Sequence, residues 1–356
     1  MARLVVVAVL LALSAAACGG GEQSEAEKLR EIEKDLSTLP DPGPGLGEGG
    51  PPPALTAGWS TDFSKHGVPL DEFMSGGPPK DGIPPIDNPR FMRVADVDFL
   101  EDREPVIELS VGERVRAYPL QILVWHEIVN DRLGEIPVAV TFCPLCNTAI
   151  VFDRRVNGRT LDFGTTGNLR NSDLVMYDRQ TESWWQQFGG AALVGELTGA
   201  KLEQLPSRIV AWGELRRAHP DATVLSRDTG YTRPYGRNPY VGYDSVDSPP
   251  FFSTKNADDD RLPPKERVVY VERGGEAVAV PFTVLAARRE LTVEVGGDEL
   301  TVRWRSGTAS ALDQDSVAAG RDVGAVEVLE DGRLVAFDQP FWFAVAAFRP
   351  HVRIVR

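Results

Sequence analysis

The stretch Pro105-Val-Ile-Glu-Leu-Ser-Val-Gly112, followed by Ala117-Tyr-Pro119-Leu-Gln-Ile-Leu123, returns later in the chain. It reappears as Arg267-Val-Val-Tyr-Val-Glu-Arg-Gly274 and Ala279-Val-Pro281-Phe-Thr-Val-Leu285, without a gap. Apolar residues alternate up to a glycine turn, resume, and then meet a proline suited to the first position of a short helix. A second match aligns Ala211-Trp212 through Pro220 and Val224-Leu225 with Phe341-Trp342 through Pro350 and Ile354-Val355. Conserving both the hydrophobic positions and the proline is what two copies of one unit require. The sequence therefore predicts an α+β, β-rich fold: two related modules of short strands with few short helices, barrel-like in each half. Gly158 and Leu161 pair best with Gly297 and Leu300, so the second copy is expected to lack a segment of roughly the length of Asp131 to Asp153.

Other local signals fit this scheme. Val138–Phe142 and Ala149–Asp153 read as strands, and Val156-Asn157-Gly158-Arg159 reads as a two-residue hairpin turn. Ile209–Ala218 is the clearest helix, stopped by His219-Pro220.

The chain opens with Arg3 and an apolar run, Leu4 to Leu13, too short to span a bilayer stably. Ser14-Ala15-Ala16-Ala17-Cys18-Gly19 resembles a bacterial lipobox, departing from it at Ala15. Residues 1–17 thus read as a signal peptide and Cys18 as a lipidation site. A cut after Ala17 without lipidation is the alternative and would leave the protein secreted. Both readings place the mature chain outside the cytoplasm, anchored in the first case to the bacterial cell membrane. Residues 18–57, rich in Gly, Glu, Ser and Pro, read as a flexible tether with too little apolar surface to offset chain entropy. The folded body then divides into a main module, 58–250, and a degenerate second copy, 251–356. A formal net charge of −14 with no basic block argues against nucleic acid and against binding anionic lipid by charge. Any membrane attachment would rest on the lipid anchor.

Soft chemistry is confined to one place. Of three cysteines, Cys143 and Cys146 form Cys143-Pro144-Leu145-Cys146 behind an apolar strand. Two thiols at this spacing can close a disulfide or chelate a metal, and the proline restricts their loop. The chain continues into strand, so a thioredoxin-like strand-to-helix centre is not expected. His126, one hairpin away, is the natural partner: it could lower a thiol pKa, or join both thiolates around zinc or copper. Met176 is a further soft atom, more suited to a core. Asn168, Arg170, Asn171, Asp173 and Arg179 cluster in a polar segment and are candidate substrate-binding residues, the arginines suiting an oxyanion. No phosphate-binding glycine loop, nucleophile-elbow serine or zinc-protease histidine pair is present, and Asn147 after Cys146 excludes a haem-attachment motif.

Several long polar runs resemble one family. They are Trp59-Ser-Thr-Asp-Phe-Ser-Lys-His66, Gly76-Gly-Pro-Pro-Lys-Asp-Gly-Ile-Pro84, Asn88-Pro-Arg-Phe91 and Ala117-Tyr-Pro-Leu-Gln-Ile-Leu123. His126-Glu-Ile-Val-Asn-Asp131, Val140-Thr-Phe-Cys-Pro-Leu-Cys146, Gly167-Asn-Leu-Arg-Asn-Ser-Asp173 and Met176-Tyr-Asp-Arg-Gln-Thr-Glu-Ser-Trp184 continue the pattern. Together they resemble the domain of unknown function 3179 family, over about Gly58 to Tyr243 and onward. Because that family includes selenocysteine-containing members, the resemblance implies a redox role for a matching cysteine. The leading expectation is therefore a thiol redox site, Cys143 and Cys146 tuned by His126, with an unknown small-molecule or protein redox partner. This makes the chain a possible thiol-dependent oxidoreductase needing no cofactor. The alternatives are a copper- or zinc-binding protein using the same three residues, and an envelope interaction protein whose disulfide is structural.

Overall fold

The computed structural model describes residues 53–356, so Cys18, the signal peptide and most of the tether lie outside the described residues. Strands dominate, in sheets of two to five strands with a half-barrel and propeller-like arrangement, and the longest helices among the described residues have 7 residues. Helices that short are marginal in water and persist here through packing. Every residue of helix Leu120–His126 is buried. Among the described residues no helix is long and apolar enough to cross a membrane.

The repeated sequence folds twice into the same pattern. Strands Pro105–Val111 and Arg114–Pro119 pair with Val106 opposite Pro119. Strands Val268–Arg273 and Glu276–Pro281 pair with Val268 opposite Pro281. The prolines precede helices Leu120–His126 and Phe282–Arg288 at φ −63° and −62°, close to the value the ring imposes anyway. Each helix ends on a non-glycine residue at positive φ, Glu127 at 58° and Arg289 at 68°. Hairpins Ile128–Leu133/Ile136–Cys143 and Glu290–Val295/Asp298–Arg305 follow. Late in each half a strand returns in parallel, Val224 opposite Ala117 and Ile354 opposite Ala279. Helices Trp212–Ala218 and Trp342–Phe348 precede these strands, each starting from a backbone bond, Trp212 N–H to Glu104 O and Trp342 N–H to Glu266 O.

Two local expectations need correction. Ile209–Ala211 is strand, not helix: the β-branched pair Ile209-Val210 continues the ladder on Ile107 and Val106, and the helix starts at Trp212. The shortening of the second copy also lies elsewhere. The hairpin Ile128–Cys143, which contains most of that segment, is kept in the second copy as Glu290–Arg305. The difference falls after it. The short Cys143–Thr148 connection is replaced by residues 306–324, and residues 154–202 are replaced by the turn Asp331-Gly332. Gly158 and Gly297 match because tight hairpin turns share a chemistry wherever they occur.

Residues 154–202 contribute most of a five-stranded sheet: Phe163–Arg170, Asp173–Asp178, Trp184–Gln186 and Ala192–Val194, edged by Phe73–Ser75. The N-terminal run packs across it closely. At Gly167, φ +75°, a Cβ would stand 1.9 Å from the Pro78 carbonyl oxygen, so only glycine fits. The main core joins both halves, with Phe341, Phe343 and Leu312 packed among Phe142, Cys143, Leu145 and Cys146.

Candidate functional site

Strand Ile136–Cys143 and strand Thr148–Asp153 pair with Cys143 opposite Thr148, so Pro144–Asn147 forms the hairpin loop. Asn147 takes φ 58° and turns the chain back into the second strand. This geometry folds both thiols inward, where Cys143 is 1% and Cys146 0% exposed. The backbone N–H of Cys146 donates to the Cys143 sulfur. A second hairpin closes the site. Its turn residues Asn171 and Ser172 have φ 54° and 59°, the mirror-image turn that fits strand twist, and Asp173 follows directly. Asp173 Oδ1 lies 2.8 Å from Cys146 Sγ, and the ligand atoms of Cys143, Cys146 and Asp173 all fall within 4.8 Å of one another.

Asp173 is aimed by its other oxygen, Oδ2, which accepts from Gln186 Nε2 and from the Phe188 N–H at 2.9 Å. Thr148 Oγ1 lies 3.0 Å from Cys146 Sγ and donates to Gln187 Oε1 at 2.5 Å. Gln187 Nε2 in turn donates to Thr141 Oγ1 at 2.9 Å. The loop is held from outside by the rest of the chain. Tyr243 Oη donates to Leu145 O at 2.8 Å, the Phe341 N–H to Cys146 O at 2.8 Å, and Asn147 Nδ2 to Gln339 O at 2.7 Å. Arg267 Nη1 donates to Asn147 Oδ1 at 2.6 Å. The second half has no thiol pair of its own and clamps the one in the first.

Electrostatically the site is a buried cluster of acids. Burial raises the Cys143 thiol, and raises Cys146 well above its ordinary value, Asp173 adding to the effect in both. Burial pushes Asp173 up to about 6. Burial, then the charge of Asp173, pushes Glu127 up to about 8. Glu127 is 6% exposed, and no hydrogen bond offsets the burial of its carboxyl. It lines a narrow apolar cavity of about 40 Å³, with Leu145, Asn168, Leu174 and Tyr240 also in the wall. That volume holds a few water molecules or a very small ligand.

The sequence-predicted residues separate accordingly. Cys143, Cys146 and Asp173 come together, Asp173 as the thiols' neighbour and not as a group on a substrate loop. His126 does not join them. Its Nδ1 lies 2.7 Å from Pro84 O and its Nε2 2.6 Å from Tyr235 Oη, so both nitrogens are occupied on the other side of the helix end. Burial lowers its pKa to about 4. Asn168 reaches the cavity wall, and its Nδ2 is buried without a partner among the described residues. Arg170 is paired with Glu72 at 2.6 Å and Arg179 with Asp87 at 2.7 Å, so neither is free for an oxyanion. Asn171 Oδ1 accepts from the Lys255 N–H at 3.0 Å. Met176 is fully buried in the core. Sequence reasoning missed Glu127, Thr148, Gln186, Gln187 and Tyr243. The signal for Glu127 was a carboxylate inside an otherwise apolar helix end, directly beside the histidine that drew attention.

Fold and site define a β-rich protein carrying a buried dithiol–carboxylate centre. The chain belongs to the family of proteins of unknown function DUF3179, whose family model matches residues 80–352. No curated protein and no solved structure matches it.

Proposed function

We propose that this is an extracytoplasmic, lipid-anchored metal-binding protein in which Cys143, Cys146 and Asp173 hold one zinc ion. The observation that carries this reading is the Asp173 carboxylate lying against two buried thiols. Three unit charges within 4.8 Å repel by at least about 3.5 kcal/mol per pair at an effective dielectric of 20. Without a cation the thiols therefore stay protonated. A divalent cation reverses the balance, displacing thiol protons as it binds. Two thiolates with one hard carboxylate oxygen suit borderline zinc better than copper(I), which prefers an all-soft set. Three protein ligands leave a fourth position for water or a small ligand, the composition of a reactive zinc site and not of a closed structural one.

The same facts weaken the thiol-exchange reading. An attacking thiolate needs a lowered pKa and access, whereas these thiols are buried among acids, and no cation among the described residues lowers their pKa. The proposed location rests on Arg3, the apolar run Leu4–Leu13 and Cys18.

Metal analysis of the purified full chain by mass spectrometry tests the proposal. One zinc per chain is expected, lost in Cys146→Ser and Asp173→Asn while circular dichroism stays unchanged. Absence of metal, with Cys143 and Cys146 cycling at a potential of about −120 to −270 mV, would restore the redox reading.

A further inference from the structure

The cavity of about 40 Å³ beside the thiols runs from buried residues, Glu127, Leu145 and Tyr240, to half-buried ones, Ile83, Phe251 and Phe252. Among the described residues no donor bonds the Glu127 carboxyl, yet neither of its oxygens is sealed inside packed protein. Both therefore open into the cavity that the residue lines. The Tyr240 hydroxyl is placed in the same way, without a hydrogen-bond partner among the described residues and not sealed. Asn168 Nδ2, by contrast, is fully enclosed and does not reach the space. Glu127 and Tyr240 interact electrostatically with each other and with Cys143, so the cavity is the open side of the thiol centre.

The fold does not demand an acid at this point. In the second copy the corresponding helix end, also at positive φ, carries Arg289. That residue is exposed, its guanidinium 4.4 Å from the Trp304 ring centroid. The first copy has instead buried a carboxyl, at a cost that no protein donor offsets. No cation among the described residues acts on it; the charge it feels is that of Asp173. A ligand that restores the balance is therefore positive and donates hydrogen bonds. The aromatic residues in the wall add a preference for a cation over a neutral guest. The volume limits such a ligand to a few heavy atoms, and Leu145 and Leu174 favour carbon for its remainder.

We infer that this cavity binds a small primary alkylammonium ion, its charged group donating to the Glu127 carboxylate and to Tyr240 Oη and its carbon chain lying against Leu145 and the aromatic wall. The inference deepens the reading of the same centre. Any part the amine plays at the metal rests on the zinc proposal, whereas its binding to Glu127 does not.

A ligand-observed NMR titration of the full chain with ethylammonium, zinc-loaded and zinc-free, tests this. One site is expected in both forms, with a Kd of about 1 mM, because three heavy atoms support little more. Ethanol, a neutral molecule of the same size, is expected to bind at least about tenfold more weakly. Glu127→Gln keeps the side chain's shape and is expected to abolish binding while circular dichroism and zinc stoichiometry stay unchanged. Tyr240→Phe is expected to weaken binding several-fold. Equal affinity for ethanol, or binding retained in Glu127→Gln, would overturn the inference. So would binding that vanished with the zinc, which would place the amine on the metal. Ethylammonium bound by a chain that takes up no zinc would refute the zinc proposal alone. Zinc taken up with no ethylammonium bound at about 50 mM would refute this inference alone.

Discussion

Replacing Tyr243 by phenylalanine isolates the clamp on the cysteine loop. Tyr243 is 3% exposed, and its hydroxyl donates to Leu145 O at 2.8 Å, inside the Cys-Pro-Leu-Cys turn. No other donor reaches that carbonyl among the described residues. The ring contacts survive the change: centroids 4.4 Å from Phe251 and 6.2 Å from Phe341, and Lys265 Nζ 3.5 Å above the ring. What is lost is the hydroxyl's bond to Leu145 O, together with the weaker approaches of Ser172 and the Phe251 N–H to its oxygen, and what is left is a buried carbonyl without a partner, at a cost of about 1–3 kcal/mol. For a chain of this size each kcal/mol shifts the melting temperature by about 2–4 °C, so a fall of roughly 2–12 °C is expected. Because the loop carries both thiols, zinc affinity should fall too, tenfold for each 1.4 kcal/mol expressed at the site. Thermal melts with a competing chelator measure both quantities. A shift below about 1 °C with unchanged zinc affinity would refute the argument that the second half positions the thiols.

Three further outcomes are expected. His126, buried and lowered to about 4, has a folded pKa below its unfolded value, so the unfolded chain binds the extra proton. Stability should therefore be full above about pH 6.5 and fall by at most about 3 kcal/mol as pH drops toward 4. Denaturant titrations across that window should show the slope in wild type and a reduced one in His126→Gln; equal slopes would contradict the assignment. Gly167→Ala combines a positive φ with a Cβ 1.9 Å from Pro78 O, and should cost more than about 2 kcal/mol or abolish folding, read from expression and melting. Arg170→Ala removes one of the two cations on Glu72, Lys255 remaining on the other oxygen, and should cost about 1–3 kcal/mol in denaturant titrations while leaving zinc stoichiometry intact. A loss of zinc in that variant would return Arg170 to the functional site.

Much of the fold was legible in the sequence because it is local. Alternating strands, glycine turns and the prolines at 119 and 281 act over a few residues, and the observed registers repeat from one half to the other. Cys143 and Cys146 were legible as a site because almost no other soft atom exists in the chain. Their partner was not. Asp173 reaches them through a pairing that depends on how the inserted sheet docks, and sequence proximity favoured His126 instead. In the fold the residue next to it, Glu127, is the one electrostatically coupled to the cluster, because the helix ends there and the positive φ turns successive side chains apart. The misplacement of the shortened segment has the same origin: turn chemistry is generic, and only the ladder shows which hairpin corresponds to which.

X-ray absorption at the zinc edge of the metal-loaded full chain tests the central claim most directly. Two sulfur atoms at about 2.3 Å and a lighter oxygen shell at about 2.0–2.2 Å are predicted, and no such shell in Asp173→Asn, which should not retain the metal. A shell of oxygen and nitrogen alone, unchanged in Cys143→Ser and Cys146→Ser, would contradict the claim.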